Sequence, residues 1–378
     1  QLSVAQRTVY HAEPEKLFNQ GKEMFLEENY AGAEDLLAHF SAVSNDPRLQ
    51  EEAAYMRTVA AFKRGRVEGG ELLKAFLNSY PESVHRHPLL FLIGSHHYDR
   101  KEWETAHSWF TMADLDYLTL TDQEDYSFRL GYTELQLGNR EEATRRFGLL
   151  SLNSSKYRDA ASFYLAYIEY SNRNYPAALE RFQRLRDLPE YREEVAFYTA
   201  QATFFDNRLD EAVRLAESFL SQYPHSGHRT ETNRILGNSY FRLGQPSRAI
   251  PYYEQYTTLT VKPLRGDAYF LGLSYAENGK LEEAVKMFQL AVGEADALSQ
   301  NAQLQLGQTY LKQNRKQEAQ MAFEAAARDN FDPQVRETAM FNYALLAHQT
   351  NFSVFSESIT LFENFLREYP NSPYTNQV

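Results

Sequence analysis

The sequence predicts an all-α fold, an α-solenoid of about ten tandem helix–turn–helix units, and three observations carry that prediction. A phrase of fixed internal spacing returns at a period of about 35 residues. Gly and Pro number only 17 and 13, fewer than a strand-rich chain needs for its turns. At 378 residues the chain is too long for one compact core, which leaves several domains or one extended array.

The phrase is plainest in three stretches that align without gaps: YFRLGQPSRAIPYYEQY from Tyr240, YAENGKLEEAVKMFQLA from Tyr275 and YLKQNRKQEAQMAFEAA from Tyr310. In each, a Tyr is followed nine residues later by Ala249, Ala284 or Ala319, and four residues after that by Tyr253, Phe288 or Phe323. Going back along the chain the matching alanines are Ala212, Ala178, Ala143, Ala106 and Ala33. Twelve residues before each alanine stands another small residue: Gly21, Gly94, Gly131, Ala166, Ala200, Gly237, Gly272 and Gly307. Two antiparallel helices approach closely only where both are thin, and Gly or Ala supplies the thinness. The aromatic one helical turn beyond the second alanine lies on the same face and fills the space beside the crossing. A unit this small cannot bury its apolar face alone, so neighbours must stack.

The turns agree with this register. Gly138, Gly244 and Gly279 fall where a first helix should stop, in the role of a left-handed terminal residue. Pro176 and Pro246 fall at the start of the second helix, where a missing N–H costs little.

These residues resemble tetratricopeptide repeats, whose usual period is about 34 residues. The resemblance runs from about Glu13 to Pro370 and implies a right-handed superhelix whose first helices line the concave face. Two repeats are irregular. The second, Gln50 to Ser83, has Arg57 and Gly69 at the small positions. The last starts near Arg336, carries an insertion at Asn351–Phe355 and has Ser358 in place of the alanine. Residues 1–12 fit no repeat and are expected to be loosely ordered. Residues 371–378 read as the cut-off start of a further repeat, and 114–125 and 152–158 are the expected bends. The chain opens on Gln1 rather than Met, so an upstream segment is expected to have been removed.

A second phrase recurs as FLNSYPES from Phe76, FLSQYPHS from Phe219 and FLREYPNS from Phe365. An aromatic anchor closes a second helix, and proline then bars its continuation. This phrase is similar to the repeats of bacterial outer-membrane assembly lipoproteins and of the periplasmic partner of the Tol–Pal system. The resemblance implies an exported, periplasmic or outer-membrane-associated protein.

Little in the sequence points to chemistry. There is no cysteine, which excludes disulfides and thiolate metal sites. Formal net charge is −12 and the basic residues form no stripe, so nucleic acid is not expected as a partner. No apolar run approaches the roughly 20 residues that span a bilayer. No phosphate loop, zinc motif or nucleophile elbow occurs, and neither an enzymatic activity nor a cofactor is expected. His85, His87, His96 and His97 lie close together without a carboxylate at motif spacing. Asp114 and Asp116 read as a solvated acidic insert. Glu141–Glu142, Asp210–Glu211 and Glu282–Glu283 open second helices, where negative charge suits the dipole. Asn153-Ser154-Ser155 and Asn351-Phe352-Ser353 are formal glycosylation sequons.

The functional expectation therefore rests on the concave face that the resemblance implies. Its inward positions stand three before, one after and four after the first small residue. They give Phe128 and Tyr132, then Phe163, Tyr167 and Tyr170, then Phe197, Gln201 and Phe204, then Arg234, Asn238 and Phe241, and finally Tyr269. Such an aromatic stripe reads as a groove for a peptide or protein partner. The competing reading is that these rings pack against the next repeat. A glycan-binding face is the alternative function, though Trp103 and Trp109, the best stacking residues, lie outside the stripe. The family's carboxylate clamp is rejected, because Phe270, Asn301 and Gln305 stand where the later places of its Lys, Asn and Arg set fall. Arg234 and Arg242 remain as cations for an acidic group on a partner.

The register makes a stability prediction. Ala249→Leu and Ala284→Leu should each overpack a helix crossing and cost about 1–3 kcal/mol. Thermal or urea melting checks this, and two unchanged transitions would refute the register.

Overall fold

The computed structural model describes residues 14–152, 154–350 and 357–377. The expected N-terminal segment 1–12, Asn153 of the first sequon and the Asn351–Phe355 insertion lie outside them. Within the described residues every regular element is helical. The fold is all-α, of the solenoid class, and divides into two compact units at Ile168/Glu169.

The first unit contains α1 (Pro14–Leu26), α2 (Tyr30–Val43), α3 (Pro47–Lys63), α4 (Gly69–Ser79), α5 (Arg86–Asp99), α6 (Trp103–Met112), α7 (Leu120–Gln136) and α8 (Arg140–Leu152). A 3-10 turn, Leu115–Tyr117, sits between α6 and α7. Helix α9 (Arg158–Ser171) crosses the division. The second unit continues with α10 (Tyr175–Leu185), α11 (Arg192–Phe205), α12 (Leu209–Gln222), α13 (Arg229–Arg242), α14 (Pro246–Leu259) and α15 (Arg265–Glu277). It ends with α16 (Leu281–Ala291), α17 (Ala297–Lys312), α18 (Lys316–Arg328), α19 (Pro333–Thr350) and α20 (Glu357–Glu368). Odd-numbered helices are first helices of a pair and even-numbered ones are second helices.

Every paired small residue of the predicted register lies on the expected helix and is buried. The structure also shows what the glycines make room for. A Cβ on Gly94 would stand 2.5 Å from the Phe110 ring, on Gly272 2.7 Å from Phe288, and on Gly307 2.5 Å from Phe323. Gly237 faces Tyr253 in the same way, at 2.7 Å. The ring four residues after the second alanine therefore lies flat on the glycine of the first helix, and each such ring is fully buried. Where the first helix has Ala200 instead, the corresponding residue of the second helix is the small Ala216, and Phe219 supplies the ring one turn later.

That later ring belongs to the recurring FL–YP phrase. Phe76, Phe219 and Phe365 pack on an aromatic of the first helix rather than over a glycine: Tyr55 at 6.1 Å, Phe197 at 5.9 Å and Phe341 at 5.9 Å between ring centroids. Tyr80, Tyr223 and Tyr369 then pack against the same phenylalanines. The two phrases are thus two solutions to one packing problem.

Each first helix from α1 to α17 ends in a residue of positive φ, seven positions beyond the small residue, as in Gly21 to Glu28 and Gly307 to Asn314. Gly138, Gly244 and Gly279 fill this role as the sequence predicts, with φ of 85°, 70° and 74°. Gly65 takes it in the second repeat, with φ 69°. This corrects the reading of that repeat. Counting back seven from Gly65 gives Thr58, which is buried, whereas Arg57 is only half-buried. Gly69 stands four residues after Gly65, where elsewhere the second small residue stands five after the positive-φ residue, and this displaced the sequence alignment by one.

The recurring tyrosine at the head of the phrase also has a reason. It stands three residues after the glycine, so it points to the second helices. Tyr275 donates to Glu254 Oε1 at 2.8 Å, and Tyr240 donates to Glu217 Oε1 at 2.5 Å. Gln289 Nε2 donates to the Tyr310 hydroxyl at 3.1 Å. A cation from the following turn or the start of the next helix covers each ring: Arg248 at 4.2 Å, Lys280 at 5.3 Å and Arg315 at 4.5 Å. Each tyrosine so ties three helices together.

Gly307→Ala should destabilise by about 1–3 kcal/mol, because the Phe323 ring cannot retreat from a packed crossing. Phe323→Leu should recover part of that loss in the double variant, which a double-mutant cycle of urea melts would reveal as coupling.

Candidate functional site

Concavities form where consecutive first helices splay, and in the first unit α3, α5 and α7 enclose one of about 410 Å³. Its floor is apolar: Tyr55, Val59 and Phe62 from α3, Phe91 and Leu92 from α5. These residues come from the repeat that the sequence marked as irregular and from its successor, so the stripe read from the sequence missed them. The signal was present, since Tyr55, Phe91 and Phe128 occupy the same position, three before Thr58, Gly94 and Gly131. The displaced register in the second repeat hid it.

Charges stand at the rim: Asp99 and Asp125 are paired with cations, and Asp122 accepts the Thr119 hydroxyl at 2.7 Å. Arg129 donates to Asp99 Oδ1 at 2.7 Å and lies over the Tyr98 ring at 4.8 Å. Lys156 pairs with Asp125 at 2.5 Å, a hydrogen bond that raises the ammonium pKa. Burial pushes the Tyr98 phenol up to about 12 and also raises Tyr55, so both rings stay neutral hydroxyl groups. The Ser95 hydroxyl at the floor is buried and has no hydrogen-bond partner among the described residues. The arrangement offers an aromatic seat beneath a charged rim.

The stripe predicted from the sequence divides in two. In the first unit Phe128 is half-buried and stacks on Tyr157 at 4.2 Å. Tyr132 meets Tyr98, Trp103 and Tyr164 edge-on. Phe163 is buried, and Tyr167 is half-buried with a partner of its own. In the second unit Tyr170 packs on Tyr198 and Tyr175, and Phe241 on Phe270 at 4.9 Å. Tyr269 leans on Phe288 at 5.9 Å. Phe197, Gln201, Phe204 and Asn238 are buried. Phe163, Phe197, Gln201, Phe204 and Asn238 are therefore packing residues in this structure. The half-buried members keep an accessible edge.

The two arginines left for an acidic partner have internal ones. Arg234 reaches Glu231 through Nε at 2.8 Å and Nη2 at 2.5 Å, and Nη1 lies 3.7 Å from Asp267. The Glu231 hydrogen bonds raise the guanidinium pKa further. Arg242 donates to Asn207 Oδ1 at 2.5 Å and covers the Phe204 ring. Asn238 donates to the buried Asp267 at 3.0 Å and accepts from the Tyr253 hydroxyl at 3.1 Å. This network accounts for Tyr rather than Phe at position 253. The ring that covers Gly237 ends beside an amide that needs a donor.

The clustered histidines are likewise engaged singly. His85 pairs with Glu52 at 2.7 Å while stacked on Tyr55, and His97 pairs with Glu102 at 2.6 Å. His87 Nδ1 accepts the Asp114 N–H, and His96 meets Phe62 edge-on. Among the described residues no group of three or more His, Asp or Glu is placed to hold a metal. No helix is long and apolar enough to cross a membrane among those residues. Trp103 packs between Tyr98 and Tyr132, and Trp109 against the core.

The asymmetry at the glycine-covering rings is testable. Tyr253→Phe should cost about 1 kcal/mol by removing the donor to Asn238. Phe288→Tyr should also destabilise, by roughly 1–3 kcal/mol, because the corresponding neighbour is Leu273 and the buried hydroxyl would go unpaired. Chemical denaturation of both variants measures it.

Residues 236–301 and 304–373 match the family described as tetratricopeptide repeat. Those stretches carry such repeats, and their register markers recur along the rest of the described chain. No curated protein matches. Among solved structures, a tetratricopeptide repeat protein from Parabacteroides merdae ATCC 43184 is 18% identical, covering 68% of this chain and 98% of its own, with a TM-score of 0.45. A structure of MamA from MSR-1 is 17% identical, covering 46% and 97%, with a TM-score of 0.39. YrrB, described as a tetratricopeptide repeat protein with an unusual peptide-binding site, is 19% identical, covering 48% and 89%, with a TM-score of 0.41.

Proposed function

We propose that this array of helix–turn–helix repeats is a non-catalytic scaffold that holds a peptide or protein partner in the concavity between α3, α5 and α7. The observation that carries the reading is the aromatic floor of Tyr55, Phe62 and Phe91 beneath a charged rim. Such a surface gains free energy by desolvating an apolar anchor, while the rim salt bridges contribute orientation more than affinity. The half-buried edges of Phe128 and Tyr132 extend the same face in this unit. In the second unit Tyr170, Phe241 and Tyr269 offer a separate, shallower one.

The recurring FL–YP phrase supports placing the scaffold in a bacterial envelope, exported and peripheral to the outer membrane. Protease treatment of cells permeabilised only at the outer membrane tests the location, and protection of the protein would sink it.

The groove assignment predicts that Phe62→Ser with Leu92→Ser abolishes recovery of partners that the parent protein retains in pull-down. Met321→Ser, on the exposed side of α18, should leave them bound. Matched circular dichroism spectra establish that all three proteins fold. Equal recovery by the groove variant and the parent would refute the assignment.

A further inference from the structure

The linker between α6 and α7 differs from three other linkers from a second helix to a first, and from the segment after α20, which share one closing device. A serine hydroxyl accepts the N–H of the residue two places on, whose ring stacks on the preceding first helix. His85 stacks on Tyr55 at 3.7 Å, Tyr157 on Phe128 at 4.2 Å, His228 on Phe197 at 4.0 Å and Tyr374 on Phe341 at 4.4 Å. The serines are Ser83, Ser155, Ser226 and Ser372. The α6–α7 linker has no such serine. Closure there comes from Tyr126 of α7, whose hydroxyl donates to the Phe110 carbonyl at 3.0 Å.

The residues 113–119 are thereby released from closing the junction, yet they are held firmly. Ala113 and Leu118 are buried and Leu115 packs against the core. Asp114 accepts the Asp116 N–H at 3.1 Å, and the Asp114 N–H donates to His87 at 3.0 Å. Thr119 caps α7 through the Asp122 N–H. The insert exposes Asp114, Asp116, Tyr117 and Thr119, and exposed apolar side chains of α6 and α7 flank it. Met112 is 51% exposed, Tyr117 61% and Leu120 81%, and Tyr117 stacks on His87, three residues beyond the 74%-exposed Val84. Around these stand Glu82, Asp114, Asp116 and Asp122, and among the described residues none of the four forms an ion pair. Elsewhere in the unit the carboxylates beside aromatic rings have cations, as Asp99 and Asp125 do.

We infer that this insert, with the exposed apolar side chains beside it, is a second docking surface, adjoining the concave groove at Asp122, for a basic amphipathic segment of a partner protein. Exposed apolar side chains on a loop held by its own caps and buried anchors lose little conformational entropy on binding. The unpaired carboxylates select Lys and Arg interleaved with apolar residues, and steer their approach. An acidic or neutral apolar segment would leave the carboxylates desolvated without partners.

The test uses the full chain and a synthetic amphipathic peptide with a leucine face and a lysine face, measured by fluorescence anisotropy. The charge-reversed leucine–glutamate peptide is the control. The lysine peptide should bind, weaken as salt rises, and lose on the order of tenfold in affinity with Met112→Ser/Tyr117→Ser and with Asp114→Asn/Asp116→Asn. Asn at position 114 keeps the acceptor that caps the turn. Asp187→Asn/Glu190→Gln, which removes two carboxylates from the linker between α10 and α11, should not change it. Equal loss in that control would show attraction to net charge alone and overturn the proposal. So would parent-like binding by the Met112/Tyr117 variant, or equal binding of the glutamate peptide.

Discussion

Everything in this chain depends on how closely two helices can cross with a ring between them. A Phe or Tyr from the second helix lies on the first at a place where even one methyl group would stand under 3 Å from it, at Gly94, Gly237, Gly272 and Gly307. Interiors are packed to crystal-like density, so neither the ring nor the helix can yield cheaply. Because the contact fixes where one helix meets the next, it also fixes where the turn must fall. The left-handed residue seven places later follows from that geometry.

The same constraint organises the surface. Once second-helix rings and small residues have settled the pairs, consecutive first helices meet through aromatics three positions before the small residue. Those aromatics carry the stacked rings of the linkers, and their remaining edges form the floor of the concavity. Binding surface and packing surface are built from one set of side chains. That is why several rings of the predicted stripe are buried while their neighbours, one helical turn away, stay half-open.

Departures from the repeat are the informative places. Tyr253 replaces Phe because Asn238 needs a donor, and Asn238 in turn holds Asp267. The insert before α7 replaces a stacked ring with an internal hydroxyl from Tyr126, and Tyr117 within it faces water beside Met112 of α6 and Leu120 of α7. Each departure is local, as expected where a repeat contacts chiefly its neighbours.

The helical class, the number of units, the paired small residues and the left-handed glycines were legible in the sequence, because they are local: a period, a turn and a spacing each leave a mark on the residue types. The second repeat was misaligned by one, since a spacing shortened by one looks the same as a substituted residue until the backbone of Gly65 is seen. Which aromatics face a partner could not be read at all. Phe197 and Phe128 occupy equivalent positions, yet one is buried and the other half-open. The rings that stack on them, His228 and Tyr157, come from residues about 30 positions further along the chain. Only the tertiary structure decides between them, because the exposure of a ring belongs to its neighbours as much as to itself.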